Sequence, residues 1–138
     1  MSNLYEQYRQ TSIQTAPPEQ LIVMLYDGAI RFMEQAKVAL AEGRDPSEPI
    51  GRAQDVVVEL LASLNRSAGP LADNLYQLYE FWIHRLFQAL VHRDSRMVEE
   101  VSTMARDLRE SWATIAQQQR KAAVAGGSPR TPVLNTRG

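Results

Sequence analysis

The stretch DSRMVEEVSTMARDLRESWATI, residues 94–115, decides the fold. Its apolar residues Val98, Val101, Ala105, Leu108, Trp112 and Ile115 are spaced by three, four, three, four and three positions. That is the period of one helix face, not of a strand. A stripe alternating in this way is the seam of a helix lying nearly parallel to its neighbours in a bundle. Asp94, an N-cap residue type, marks where the helix starts.

Outward from this segment the same pattern recurs. A helix from about Pro70 to His92 carries Leu71, Leu75, Leu78, Trp82, Leu86 and Ala89 on one line, with Tyr79, Ile83, Leu86 and Leu90 on a second beside it. A helix from about Ser47, read as its N-cap, to Asn65 turns Ile50, Ala53, Val57, Leu60, Leu61 and Leu64 inward. A first helix runs from Pro18, suited to an initial turn that lacks N–H partners, to Gly43. Its stripe of Leu21, Leu25, Gly28, Phe32, Ala36 and Ala39 is widened by Ile22, Tyr26, Ala29, Met33 and Leu40, enough for two neighbours. Prolines and glycines cluster between these stretches, and connections of a few residues make consecutive helices antiparallel. The expected fold is all-α, an up-down-up-down four-helix bundle over residues 18–122. It has a flexible N-terminal arm at 1–17 and a disordered tail at 123–138.

Composition narrows the function. The 138 residues include no cysteine, which removes thiol nucleophiles, Cys-ligated zinc, iron–sulfur clusters and disulfides. A net charge of −1 argues against a surface built for nucleic acid or anionic membrane. No apolar run approaches the ~20 residues of a membrane span. Met1-Ser2-Asn3-Leu4-Tyr5-Glu6 has no basic and apolar signal pattern, so a cytoplasmic location without membrane insertion is expected.

Little points to catalysis. The two histidines, His84 and His92, stand eight positions apart, too far to share a small ion, and neither has glutamate three residues before it as a di-iron bundle requires. No metal or other cofactor is expected. A phosphotransfer bundle using His84 is the alternative class, but Arg85, Leu86 and Phe87 place bulk where a phosphoryl group needs room. Asp27 reads as a solvated helix carboxylate. Gly28 costs ~1 kcal/mol relative to alanine in a helix, which close approach of a neighbouring helix would offset.

Binding is the better reading. Tyr76, Tyr79, Phe81, Trp82 and Phe87 fall within twelve residues of one helix and cannot all face inward, nor can Val56, Val57 and Val58 in succession. Two adjacent helices with surplus apolar surface make a candidate helix-in-groove site, with Val56, Leu60, Tyr76, Tyr79, Ile83 and Phe87 as its residues.

Several runs resemble the flagellar secretion chaperones, the FliS family. They are Tyr5-Glu-Gln-Tyr8, Ala16-Pro17-Pro18-Glu19-Gln20-Leu21, Met24-Leu25-Tyr26-Asp27-Gly28-Ala29, Arg52-Ala53-Gln54-Asp55-Val56-Val57, Leu78-Tyr79-Glu80-Phe81-Trp82 and Leu108-Arg109-Glu110-Ser111-Trp112. The resemblance implies a cytoplasmic helical bundle that binds the disordered C-terminal segment of flagellin, prevents premature polymerisation and presents the subunit to the cytoplasmic domain of the flagellar type III export gate. It also implies that an N-terminal segment, here Tyr5, Tyr8 and Ile13, contacts the gate or covers the client groove. In the free state a monomer or weak homodimer is expected. Pro17 stands where the family commonly has a Ser or Thr cap. Charge is divided unevenly: residues 1–110 sum to −5 and residues 111–138 to +4, so the tail is basic and the bundle mildly acidic.

Overall fold

The computed structural model describes residues 18–124, which form α1 (Pro18–Ala41), α2 (Ser47–Ala62), α3 (Pro70–His92) and α4 (Ser95–Val124), with one 3-10 turn at Arg66–Ala68. The described residues contain no strand, and the architecture is the four-helix bundle that the periodicity predicts. The proposed arm and most of the proposed tail lie outside the described residues, although α4 runs on through residues 123 and 124.

The helices form a ring in chain order, α1 on α2, α2 on α3, α3 on α4 and α4 back on α1. Ion pairs give the direction of the closing seam. Lys37 meets Glu99, Glu34 meets Arg106 and Asp27 meets Arg109, so α4 descends as α1 ascends. Gln54 of α2 against Ile83, and Arg66 in the 3-10 turn beyond α2 against Tyr76, give α2 and α3 the same antiparallel relation. The broad apolar face of α1 is used as expected: Leu21, Ile22, Leu25, Tyr26, Ala29, Met33 and Ala36 are all buried. From α4 the buried set is Val98, Val101, Ala105, Trp112 and Ala116, with Ser102 among them.

Helix ends are held by two repeated devices. After α1, Gly43 adopts φ 72°, and the Arg44 and Gly43 amides donate to the Ala39 and Leu40 carbonyls at 2.7 and 3.2 Å. The same two-bond closure follows α3, where Asp94 and Arg93 donate to Ala89 and Leu90 at 3.1 and 3.4 Å. There the left-handed position is Arg93, with φ 50°, a conformation costing a non-glycine residue about 1 kcal/mol. At helix starts a short polar side chain accepts the amide two residues on. Asp94 does so for Arg96 at 2.9 Å, as its N-cap reading requires. Ser47 differs from expectation, because it is the first helical residue and Asp45 is the acceptor for its amide and hydroxyl at 3.0 and 2.7 Å. The hydrogen bond from Ser47 holds the Asp45 carboxyl below the usual range. Helix α2 also stops at Ala62, before the expected Asn65, which instead accepts the Ser67 amide at 3.2 Å in front of the 3-10 turn.

On α3 the inward set is Ala72, Leu75, Tyr79, Trp82, Leu86 and Ala89, while Leu71 is 54% exposed. The preference for Tyr79 has a cause across the bundle. Tyr26 on α1 and Tyr79 on α3 are fully buried, and their hydroxyls are 2.6 Å apart. Trp82 closes the cluster, edge-on to Tyr26 at 6.1 Å and 5.4 Å from Tyr79 between ring centroids. Trp112, from α4, lies close enough to the Tyr26 hydroxyl to favour its ionised form. Among the described residues the Trp82 indole N–H finds no partner, at a cost of about 1–3 kcal/mol.

Burial pushes the Tyr26 hydroxyl up from 10.0 to about 12, with hydrogen bonds from Tyr79 and Trp112 acting the other way. Burial, and next the charge Tyr26 would carry, push Tyr79 well above its ordinary value. Both raised phenols stabilise the fold fully below pH 10.0, and that contribution is lost as pH climbs toward about 12, because the unfolded chain ionises first. A thermal melt series from pH 9 to 12 is therefore expected to fall more steeply for the native protein than for the variant lacking both hydroxyls. Of the single changes, Tyr26→Phe is expected to cost about 1–3 kcal/mol by orphaning the Tyr79 hydroxyl. Tyr79→Phe likewise leaves the Tyr26 hydroxyl without its bonded partner, and the double change costs less than the two added, which urea titration of the three variants checks.

Candidate functional site: the groove between α2 and α3

Two stripes on α3 diverge in their roles. The inward one carries Tyr79, Trp82 and Leu86. Displaced toward α2 are Tyr76, Glu80, Ile83 and Phe87, spaced by four, three and four residues. Together with Gln54, Leu61 and His84 they line an open depression of about 440 Å3 between α2 and α3. Phe87 is 53% exposed, and Val91, one turn further along α3, is 58% exposed. Three of the six residues expected to form the groove, Tyr76, Ile83 and Phe87, are thus brought together. The other three are corrected in place: Val56, Leu60 and Tyr79 have no exposed surface and belong to the core. Tyr79 is drawn in by its hydroxyl bond, and Val56 and Leu60 share the buried α2 face with Ile50, Ala53 and Val57.

Polar contacts fix the groove's shape. The Gln54 side-chain amide donates to the Ile83 carbonyl at 3.0 Å, tying α2 to the middle of α3. At one end the Arg66 guanidinium lies over the Tyr76 ring, 4.2 Å from its centroid, and also approaches Asp73 at 3.4 Å. His84 and Glu80 sit at the outer edge, both exposed. Arg85, expected to crowd His84, turns toward α4, lying 5.1 Å from the Phe81 centroid and 3.5 Å from Glu100. Gly51 lies on α2 three residues before Gln54, at spacings of three, four and three from Gln54, Val58 and Leu61. Inside a helix it costs about 1 kcal/mol relative to alanine. A Cβ added there would meet nothing within 4 Å.

A second concavity, of about 500 Å3, lies between α1 and the start of α2 and is lined by Arg31, Glu34, Arg44, Asp45 and Glu48 beside Val38. Covering it with an apolar segment would desolvate charges of both signs, which disfavours that use. The α1–α4 seam is likewise ionic. Lys37 bonds both Glu34 and Glu99, while Arg106 reaches Glu34 and Glu99 at 3.0 Å and Ser102 at 2.8 Å. Burial raises the Glu34 carboxyl, yet hydrogen bonds from Lys37, Ser102 and Arg106 outweigh it and hold the group below its usual range. Glu99 is held down chiefly by Lys37, whose own ammonium is raised chiefly by Glu99. Asp27 is not simply solvated: Arg109 engages it at 2.8 and 3.4 Å, and this bond raises the guanidinium. The partners lie 82 positions apart, beyond any local spacing rule.

Among the described residues no group of three or more His, Asp or Glu is placed to hold a metal ion, and no helix is long and apolar enough to cross a membrane. Tyr5, Tyr8 and Ile13 lie outside the described residues. Gln54, Leu61, Glu80 and His84 were absent from the expected groove set. The signal for them was available in the α3 spacing and in the α2 positions offset from Ala53, Val57 and Leu60.

Comparison with known proteins adds a separate line. The family model described as Flagellar protein FliS matches residues 1–119. The chain is 34% identical to the flagellar secretion chaperone FliS of Bacillus subtilis over 124 residues, covering 88% of this chain and 92% of that protein. It is 30% identical to the chaperone of the same name from Vibrio cholerae, covering 83% and 90%, and 32% identical to that of Salmonella typhimurium, covering 78% and 82%.

The division between core and groove can be measured. Leu60→Ala is expected to lower stability by about 2–5 kcal/mol through the cavity it leaves. Phe87→Ala, at a half-exposed position, should cost about 1 kcal/mol or less, and chemical denaturation of the two variants reads the contrast.

Proposed function

The chain belongs to the FliS family of flagellar proteins, and from that premise we propose that it is a flagellar secretion chaperone, without catalytic activity, that works in the cytoplasm. Its client in this reading is the C-terminal segment of flagellin, which it keeps from polymerising and hands to the cytoplasmic domain of the type III export gate. Half-exposed Phe87 beside Tyr76, Ile83 and Leu61 carries the proposal, since an aromatic left in water at the edge of a well-packed bundle is surface available to a partner.

The groove's walls favour a helical client. Both are α-helices with their backbone groups already paired, so they present no free edge for an added strand. An amphipathic helix can instead lay one apolar face along Tyr76, Ile83 and Phe87. A client disordered beforehand loses conformational entropy on docking, and that cost keeps a complex with a large contact surface releasable. The segment bearing Tyr5, Tyr8 and Ile13 would cover the same groove in the free state or contact the gate. The free chaperone is then a monomer or weak homodimer.

Titration of the protein with intact flagellin and with flagellin lacking its last few dozen residues tests the client. At least a roughly tenfold loss of affinity on truncation is expected. Equal affinity for the two would sink the assignment. Deleting residues 2–15 should increase binding of a hydrophobic dye and alter client affinity; a deletion variant matching the intact chain in both would remove the arm from the mechanism.

A further inference from the structure

The described side chains that line the α2–α3 depression are not uniformly apolar. Leu61, Tyr76, Ile83 and Phe87 are aliphatic or aromatic, whereas Glu80 brings a carboxylate into the same wall. It stands on α3 four residues after Tyr76 and seven before Phe87, between the two aromatic ends of the stripe. Glu80 is exposed, and among the described residues it makes no hydrogen bond or ion pair. The guanidinium groups on either side of it are engaged elsewhere. Arg66 lies over Tyr76 and approaches Asp73, and Arg85 is turned to the other flank of α3, toward Glu100.

In water this carboxylate needs no partner. A helix that lays an apolar face on Tyr76, Ile83 and Phe87 also takes water from Glu80, and a charge left there without a counter-charge opposes the docking that apolar contact favours. A cation on the docked helix removes that opposition. It also supplies what the aromatic stripe lacks, because apolar burial is non-directional and lets a helix slide by a turn or reverse. One charge fixes the register. Its off-centre place, four residues from Tyr76 and seven from Phe87, further distinguishes the two directions in which a helix can lie.

We propose that Glu80 is a specificity-determining contact of the groove, paired in the complex with a lysine or arginine on the helix of the docked flagellin segment. The inference rests on the chaperone reading above and sharpens it. The docked helix carries that basic residue about one turn from the apolar residue that meets Tyr76 and about two turns from the one that meets Phe87.

The test uses the full chain with Glu80→Gln and Glu80→Lys, each melted alone and then titrated with the flagellin C-terminal segment at two salt concentrations. Both changes are on an exposed helix face and keep good helix formers, so each variant should melt within about 2 °C of the native protein. Affinity should fall roughly three- to tenfold with glutamine and further with lysine, and the native complex should weaken with salt more steeply than that of Glu80→Gln. Replacing the segment's lysines and arginines by glutamine one at a time should find one position that lowers affinity for the native chain and not for Glu80→Gln. The sign of the first result decides most. A carboxylate merely covered and left uncompensated would make Glu80→Gln bind more tightly, so affinity equal to or above the native value overturns the inference, as does a segment in which no basic residue couples to Glu80. Native protein that fails to bind the segment instead overturns the chaperone reading on which it stands.

Discussion

A hydroxyl pair at the centre of the bundle governs what its surface offers. Helices α1 and α3 sit across the ring from one another without close backbone approach, so their relative register is set through side chains. Tyr26 and Tyr79 meet there with 2.6 Å between oxygens in a region closed to water, where an unpaired hydroxyl would be costly. Satisfying both groups fixes the rotation of α3 about its axis. Once Tyr79, Trp82 and Leu86 point inward, the helical period leaves Tyr76, Ile83 and Phe87 at the α2 edge. The groove is thus a consequence of the core.

Two seams of the ring are finished differently, one ionic and the other largely apolar. Between α1 and α4 a run of carboxylates, guanidinium groups and Lys37 ties the helices together along their length. Each such pair is half in water and worth little alone, but the network leaves no apolar stretch for a partner. Between α2 and α3 the Gln54 bond to Ile83 holds the helices in register, with Arg66 stacked on Tyr76 toward one end. The rest of that seam is mainly aromatic and aliphatic, with exposed Glu80 and His84 along its outer edge. An apolar segment can cover it without stripping water from many charges, which distinguishes it from the larger, charged concavity beside α1.

Much of this was legible in the residue order, because helix periodicity is local. The three-four spacing in α4, the Pro and Gly clusters between stripes and the polar residues before each start specify four helices, their order and their antiparallel sense. Departures occur where the decisive contact is distant. Ser47 has the residue type of a cap, yet Asp45, two residues earlier, has the side chain that reaches its amide. Asp27 looked solvated because Arg109, its partner, stands 82 residues away. Val56, Leu60 and Tyr79 looked like surplus apolar surface because adjacent positions on a helix compete for the inside.

By itself, then, the sequence determined the helix count, the bundle, the absence of thiol chemistry and the excess of apolar side chains on α2 and α3. Only the tertiary structure decided which of those side chains are core and which form the groove. Composition cannot make that division, since leucine and tyrosine suit either environment. It depends on the rotation of α3, and that rotation is set by a bond between residues 26 and 79, on helices that are neighbours neither in the chain nor in the ring.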